Sequence, residues 1–453
     1  MDGSIVSADS GLTRALAERA CAVAYDALPE PVRELARQCV LDYLAVGLAG
    51  ADDPLAGILL DEFLEAGGTA DAAVIGHAAR LPVLSAALVN GAIAHALDYD
   101  DVNLAMPGHV SVAILPALLA LAEERQASGQ AVIAAFVAGY EACCGIGMAL
   151  RPGHYERGFH ATGTVGAFGA AAACAHLLGL DPEATARALG IAGTQAAGLK
   201  SQFGTMCKPF HAGRAAQNGL LAARLAARGF SSRTDLVECA QGFAATHAPE
   251  FRPEKALAAP PQGFHILANL FKYHAACYMT HAPIECARQV RDAGATPAEI
   301  AAIRLSVHQA SDRICNIPAP RDGLQAKFSL RQTVAMALSG VDTASLAAYS
   351  AATATDPALV GLRERVACDF RGDFPEAGAE IAVTLADGRT LHARHDAGVP
   401  SGDIAEQGRR LAAKFDALAA PVVGAGRARE LREAVAGLDG LADVGVLAKL
   451  ASR

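Results

Sequence analysis

Residues 158–180 read GFHATGTVGAFGAAAACAHLLGL and contain no Asp, Glu, Lys or Arg. A charge-free run of this length is a membrane span, a glycine-rich nucleotide turn, or a helix buried in a core. Gly163, Gly166 and Gly169 recur every third residue, as glycines do in dinucleotide-binding turns. Such a turn follows a strand, whereas the residues before Gly163, RPGHYERG (151–158), have the Pro and Gly content of a loop. On a helix, glycines at this spacing leave a bare face that a second helix can approach closely. A buried helix over about 162–178 is therefore the reading, and it places the chain among mainly α proteins.

The rest of the first half agrees. PEPVRELARQCVLDYLAVGLAG (29–50) sets Val32, Leu35, Ala36, Cys39, Val40, Tyr43 and Leu44 on one stripe, with Pro31 in the first turn. Further helical runs are expected at 83–101, 111–127, 130–150, 183–198 and 212–229. A second charge-free stretch, Val102–Ala122, holds Pro107, Gly108 and Pro116 and also reads as buried helix with a break rather than a span. After about residue 265 the texture changes. IRLSVH (303–308) alternates Ile303, Leu305 and Val307 with Arg304, Ser306 and His308, a strand pattern, and EIAVTLADGRTLHARH (380–395) reads as a hairpin turning at Asp387-Gly388. Helices are expected between them at 326–340 and 356–369, and helix returns after Pro400. The expected architecture is a large α-helical domain, 1–266 plus 400–453, interrupted by a smaller α/β domain, 267–399.

The chain of 453 residues is 52% hydrophobic with a net charge of −9. Such acidity argues against a general nucleic-acid binder, while a local pocket can still attract an anion. Eleven cysteines without a CxxC fit reduced thiols of a cytoplasmic protein, and the start, MDGSIVSADS, shows no secretory signal pattern. Only seven of the 38 basic residues are lysine. Where Arg is the default cation, each Lys is worth inspecting.

Four segments carry chemistry. HALDYDDVNLAMPGHVS (95–111) crowds Asp98, Asp100 and Asp101 between His95 and His109. With the helix continued to 101, His95, Asp98 and Asp101 share a face and Asp100 points elsewhere. A metal site is one use of such residues, but no HExxH or other familiar ligand spacing is present. The loop at 151–160 carries His154, Tyr155 and His160 just before a helix start, where free N–H groups favour anions. Lys208 stands among Met, Cys, Pro and Phe, in expected extended geometry before Pro209, and Lys272 lies in an aromatic setting at the texture change. Two lysines, two histidines and an aspartate suit proton removal or delivery beside a carboxylate, because fixed cations stabilise the negative charge that develops.

Taken in order, NGAIAHALDYDD, FHATGTVGAFGAAAACAHLLGL, KPFHAGRAAQNG and FKYHAACYMTHAPIE resemble the MmgE/PrpD family over nearly the whole chain. The resemblance implies a helical domain with an inserted lid, a homodimer, no metal or organic cofactor, and a site in the cleft between lid and helices. It implies pocket roles for Asp98, His109, His160, Lys208 and Lys272, with Tyr155 and the variable positions Val102, Cys277 and Gln332 shaping substrate binding. Family activities include 2-methylcitrate dehydratase, cis-aconitate decarboxylase and iminodisuccinate epimerase. Val102, Cys277 and Gln332 stand where the decarboxylase pattern has Thr, His and Tyr. The expectation is therefore a dehydratase acting on a di- or tricarboxylate. An epimerase or decarboxylase is the alternative, as is a polycarboxylate-binding protein without catalysis.

Overall fold

The structure is a computed structural model and describes residues 11–453. The described chain divides into two compact units, the chain up to Phe271 together with Gly402–Arg453, and Lys272–Ser401.

In the first unit the elements that matter are α1 (Glu30–Gly50), α2 (Val83–His95), α3 (Ser111–Arg125), α4 (Gly129–Leu150), α5 (Ala161–Leu177), α6 (Pro182–Gly193) and α7 (Cys207–Ala227). The charge-free segment is α5, and every residue from Ala161 to Ala175 is buried. It packs against α3, α4, α6 and α7. Its glycine face lets helices approach closely: a Cβ added at Gly166 would meet the Ala113 methyl at 2.6 Å, and one at Gly169 would meet Cys143 Cβ at 2.8 Å. Helix α4 is long and apolar enough to cross a membrane, yet most of it is buried inside the structure, as a core helix is.

Several helices end earlier or start earlier than the sequence pattern suggests. Helix α2 stops at His95 rather than 101, and α6 stops at Gly193 rather than 198. Helix α7 begins at Cys207 and takes in Lys208 and Pro209, so Lys208 is helical rather than extended. Pro209 is tolerated because the first-turn N–H it lacks would have had no partner inside the helix.

The second unit contains α8 (His281–Asp292), β1 (Ile300–His308), α9 (Leu330–Leu338), α10 (Pro357–Arg363), β2 (Val366–Arg371), β3 (Gly378–Leu385) and β4 (Thr390–Asp396). The sheet order is β2-β1-β3-β4, with β1 and β2 parallel and the other pairs antiparallel. Ile303, Leu305 and Val307 are buried, as alternation requires. The hairpin turns at Asp387-Gly388, where Gly388 takes a φ of 87°. One expectation fails in part here and one is met with other bounds. The expected helix at 356–369 ends at Arg363 and is followed by β2, while the expected helix at 326–340 is α9, which starts at Leu330 after a separate short helical turn, Gly323–Lys327. VACDFR gains its strand state from pairing along β1 rather than from its own alternation. The chain then re-enters the first unit through α11 (Ile404–Val423), which packs along α1.

Candidate active site

The end of α2 begins the site. Asp98 takes a φ of 51°, a left-handed conformation that Asp tolerates better than most residues. The helix therefore cannot continue, and the three aspartates are distributed by a turn rather than a helical face. Lys414 from α11 holds that turn from below: its ammonium lies 2.6 Å from Asp42 Oδ1 and donates to the Tyr99 carbonyl at 2.8 Å. Further on, Val102 pairs with Leu270 in a short antiparallel bridge. The His109 N–H then donates to Thr162 Oγ1 at 3.0 Å, which ties the returning chain to the first turn of α5. His160 lies immediately before that helix, and its N–H donates to the Gly198 carbonyl.

These segments assemble a continuous ionic chain. Lys208 Nζ lies 2.8 Å from Asp98 Oδ2, and Asp98 Oδ1 lies 3.5 Å from His109 Nε2. His109 Nδ1 is 2.8 Å from Asp100 Oδ2, though not aligned as a good hydrogen bond, and His95 Nδ1 is 2.9 Å from Asp100 Oδ1. The chain runs from solvent into the core: the Asp98 side chain is 42% exposed and that of Asp100 1%. Asp100 thus corrects the expectation that it points away from this cluster. The His160 ring stacks at 5.9 Å on His95, its Nδ1 is 3.1 Å from His211 Nδ1, and Phe203 meets it edge-on.

The electrostatics follow from burial and neighbours. Burial pushes the His95 pKa down to about 4 despite Asp100, and His160 is pushed well below the usual imidazole range by burial and then by His95, His109 and Lys208. Both rings are therefore neutral near pH 7. Burial alone would raise Asp100, but the charges of His109 and His95 and the hydrogen bond with His95 more than offset it and hold the carboxyl well below its usual range.

His95, Asp98, Asp100 and His109 each offer a ligand atom within 4.8 Å of the others, close enough for a metal ion. Each carboxylate, however, already faces a cation or an imidazole, and the Lys208 ammonium 2.8 Å from Asp98 would repel a metal there. The donor set fits an ion-pair relay better than a metal centre.

The other residues expected in the site have different surroundings. Tyr155 lies beneath Lys200, whose ammonium sits 3.6 Å from the ring centroid and donates to the Tyr155 carbonyl. Lys272, Cys277 and Gln332 belong to the second unit. The Cys277 N–H donates to the Lys327 carbonyl. The Gln332 amide donates to the Thr353 carbonyl and accepts from Arg363 at 2.7 Å, so it braces its own unit. Sequence reading gave no site role to His95, Asp100, His211 or Phe203. His211 reached the site because α7 starts at Cys207 rather than at 212, Phe203 comes from the segment just before α7, and His95 and Asp100 depended on where α2 stops.

Residues 14–256 match the MmgE/PrpD N-terminal domain and residues 274–440 match the MmgE/PrpD C-terminal domain. A cis-aconitate decarboxylase of Aspergillus terreus is 28% identical over 98% of this chain and 96% of its own length. The human cis-aconitate decarboxylase is 28% identical over 93% and 91%, and the mouse protein of the same name 30% over 70% and 68%. With both domain models matched in order along one polypeptide, the chain belongs to the MmgE/PrpD family.

Proposed function

We propose that the protein is a lyase that acts on a di- or tricarboxylate, with decarboxylation of cis-aconitate as its first assignment. The observation that carries the reading is the Lys208–Asp98–His109 chain, an ammonium and an imidazole joined through one carboxylate at the exposed end of the cluster. In a decarboxylation the bond from carbon to the departing carboxylate breaks, and its electron pair passes into the conjugated acid that remains. A fixed ammonium stabilises that charge, a contribution of about 3–4 kcal/mol per well-placed donor. A proton from an imidazole then completes the new C–H bond, an effect of roughly 10²–10⁴-fold. Lys208 is assigned the first role, His109 the second, and neutral His160 a hydrogen bond to a substrate carboxylate. Lys272 is carried into the proposal from the family resemblance alone.

Relatives named for this reaction, aligned over nearly the whole of both chains, support decarboxylation ahead of the dehydration favoured by the sequence. Dehydration of a 2-methylcitrate-like hydroxy acid stays as the second reading, because Val102, Cys277 and Gln332 depart from the decarboxylase pattern. NMR of the purified protein in D₂O with cis-aconitate, 2-methylcitrate, citrate and iminodisuccinate separates these. Release of CO₂ with one deuterium placed on carbon marks the decarboxylase; loss of water marks the dehydratase. Turnover is expected to fall by about 10²-fold or more in folded His160→Ala and Lys208→Ala proteins. Unchanged activity in both would sink the assignment.

A further inference from the structure

Asp100 has no role in the reading above, yet the buried half of the cluster is arranged around it. Its two oxygens lie 2.9 and 3.1 Å from His95 Nδ1, and one of them is also 2.8 Å from His109 Nδ1. The side chain is 1% exposed. A carboxylate this deep is costly unless N–H donors face it, and here two imidazoles do, His95 in a hydrogen bond and His109 at contact distance off the hydrogen-bond line. An imidazole with Nδ1 against a carboxylate keeps its proton on that nitrogen, which leaves Nε2 as the nitrogen that exchanges protons. The His109 Nε2 is the atom nearest the exposed end, 3.5 Å from Asp98, whose other oxygen holds Lys208. Asp98 is a poorer choice for this task, since it is 42% exposed and shared with the ammonium.

We propose that Asp100 is the positioning residue of the site: it keeps Nδ1–H of His109 turned inward, so that Nε2 is the nitrogen that transfers a proton, while His95 clamps Asp100 from the other side. The proposal rests on the reading of this cluster as a proton-transfer centre. The groups facing His109 are Asp98 and Asp100 at its nitrogens, the His95 ring at 4.4 Å, Thr162 at its backbone, and Lys208 beyond Asp98. His160 lies behind His95. When Nε2 gives up its proton, the ring becomes neutral and retains Nδ1–H, so no further group has to accept or supply charge.

The test uses the full-length protein labelled with ¹⁵N-histidine, the His109 signals being assigned by their loss in His109→Gln. In the wild type, Nδ1 is expected to remain protonated across the accessible pH range while Nε2 titrates. Loss of the proton from Nδ1 first would overturn the proposal without any Asp100 variant. In Asp100→Asn, which keeps the side-chain shape, the Nδ1–H form is expected to be lost, and kcat to fall roughly 10²–10⁴-fold with KM near that of the wild type. A fall in kcat with the tautomer unchanged would reduce Asp100 to a structural part and also overturn it. If the wild type turns over none of the polycarboxylates, the proposed function fails, while the NMR arm still decides the role of Asp100.

Discussion

Asp100 and Asp101 are consecutive, each is 1% exposed, and they have opposite electrostatic fates. Asp100 faces two imidazoles and is held well below the usual carboxyl range. Asp101 accepts from Ser111 Oγ at 2.5 Å and from Asn269 Nδ2 at 2.8 Å, both neutral donors. Burial, reinforced by the charge of Asp42, pushes its pKa up to about 7. Burial raises the cost of charge equally for both; the sign of the nearest partner decides which carboxyl stays ionised. One short turn thus holds a charged carboxylate for the site and, next to it, one that keeps its proton up to about pH 7 within the dry network beneath. In that network Asn269 also accepts from the Tyr140 hydroxyl at 2.7 Å.

The largest effect is expected on the ionic side. Lys208→Ala removes the outer cation and should lower kcat with the best substrate about 10²–10³-fold, the usual cost of one fixed donor to a developing anion, with circular dichroism unchanged. Activity within twofold of wild type would mean that the ionic chain is structural.

The next effect comes from the helices that carry the two ends of that chain. A Cβ on Gly213 of α7 would lie 2.1 Å from the Leu88 carbonyl oxygen of α2. Gly213→Ala should therefore force α2 and α7 apart, costing about 1–3 kcal/mol in denaturant unfolding and lowering kcat as well. Asp101, held by Ser111 and Asn269 outside those two helices, should keep its titration. Loss of both together would show that the two carboxyls are not independent.

A smaller effect tests Asp101 directly. Its folded pKa of about 7 lies above the unfolded value of about 4, so the folded protein retains a proton that the unfolded chain releases. Stability from this group falls as pH rises from about 4 to about 7. His95 has the opposite sign: its pKa is lowered to about 4, so its contribution is lost as pH falls from about 6.5 towards 4. Asp101→Asn should remove up to about 1.4 kcal/mol per pH unit of downward slope between pH 5 and 7 in urea unfolding. An unchanged slope would place a charged Asp101 in the core and end the contrast with Asp100. The smallest expected effect is none: exhaustive chelation should leave activity intact, since Lys208 occupies the exposed face of the only four-residue ligand group found among the described residues.

Much of this molecule was legible as pattern. An apolar stripe marked α1, charge-free composition marked α3 and α5, alternation marked β1, and Asp-Gly marked the hairpin turn. The reason is that these signals are local: each records which face of an element must avoid water. Strand β2 was not legible, because the register of β1 supplies its order. The same division holds in the site. Residue types marked the segments able to handle an anion and a proton, and the family resemblance picked out Asp98, His109, His160 and Lys208 within them. The grouping of Asp100 with His95 and His109 depended on α2 ending at His95 and on Asp98 taking a left-handed turn. Lys414, more than 300 residues away, holds the Tyr99 carbonyl of that turn. By itself the sequence determined the helical core, the strand-bearing insertion and the stock of acids and bases. Only the tertiary structure decided which aspartate carries charge, because that depends on partners that a linear pattern does not place side by side.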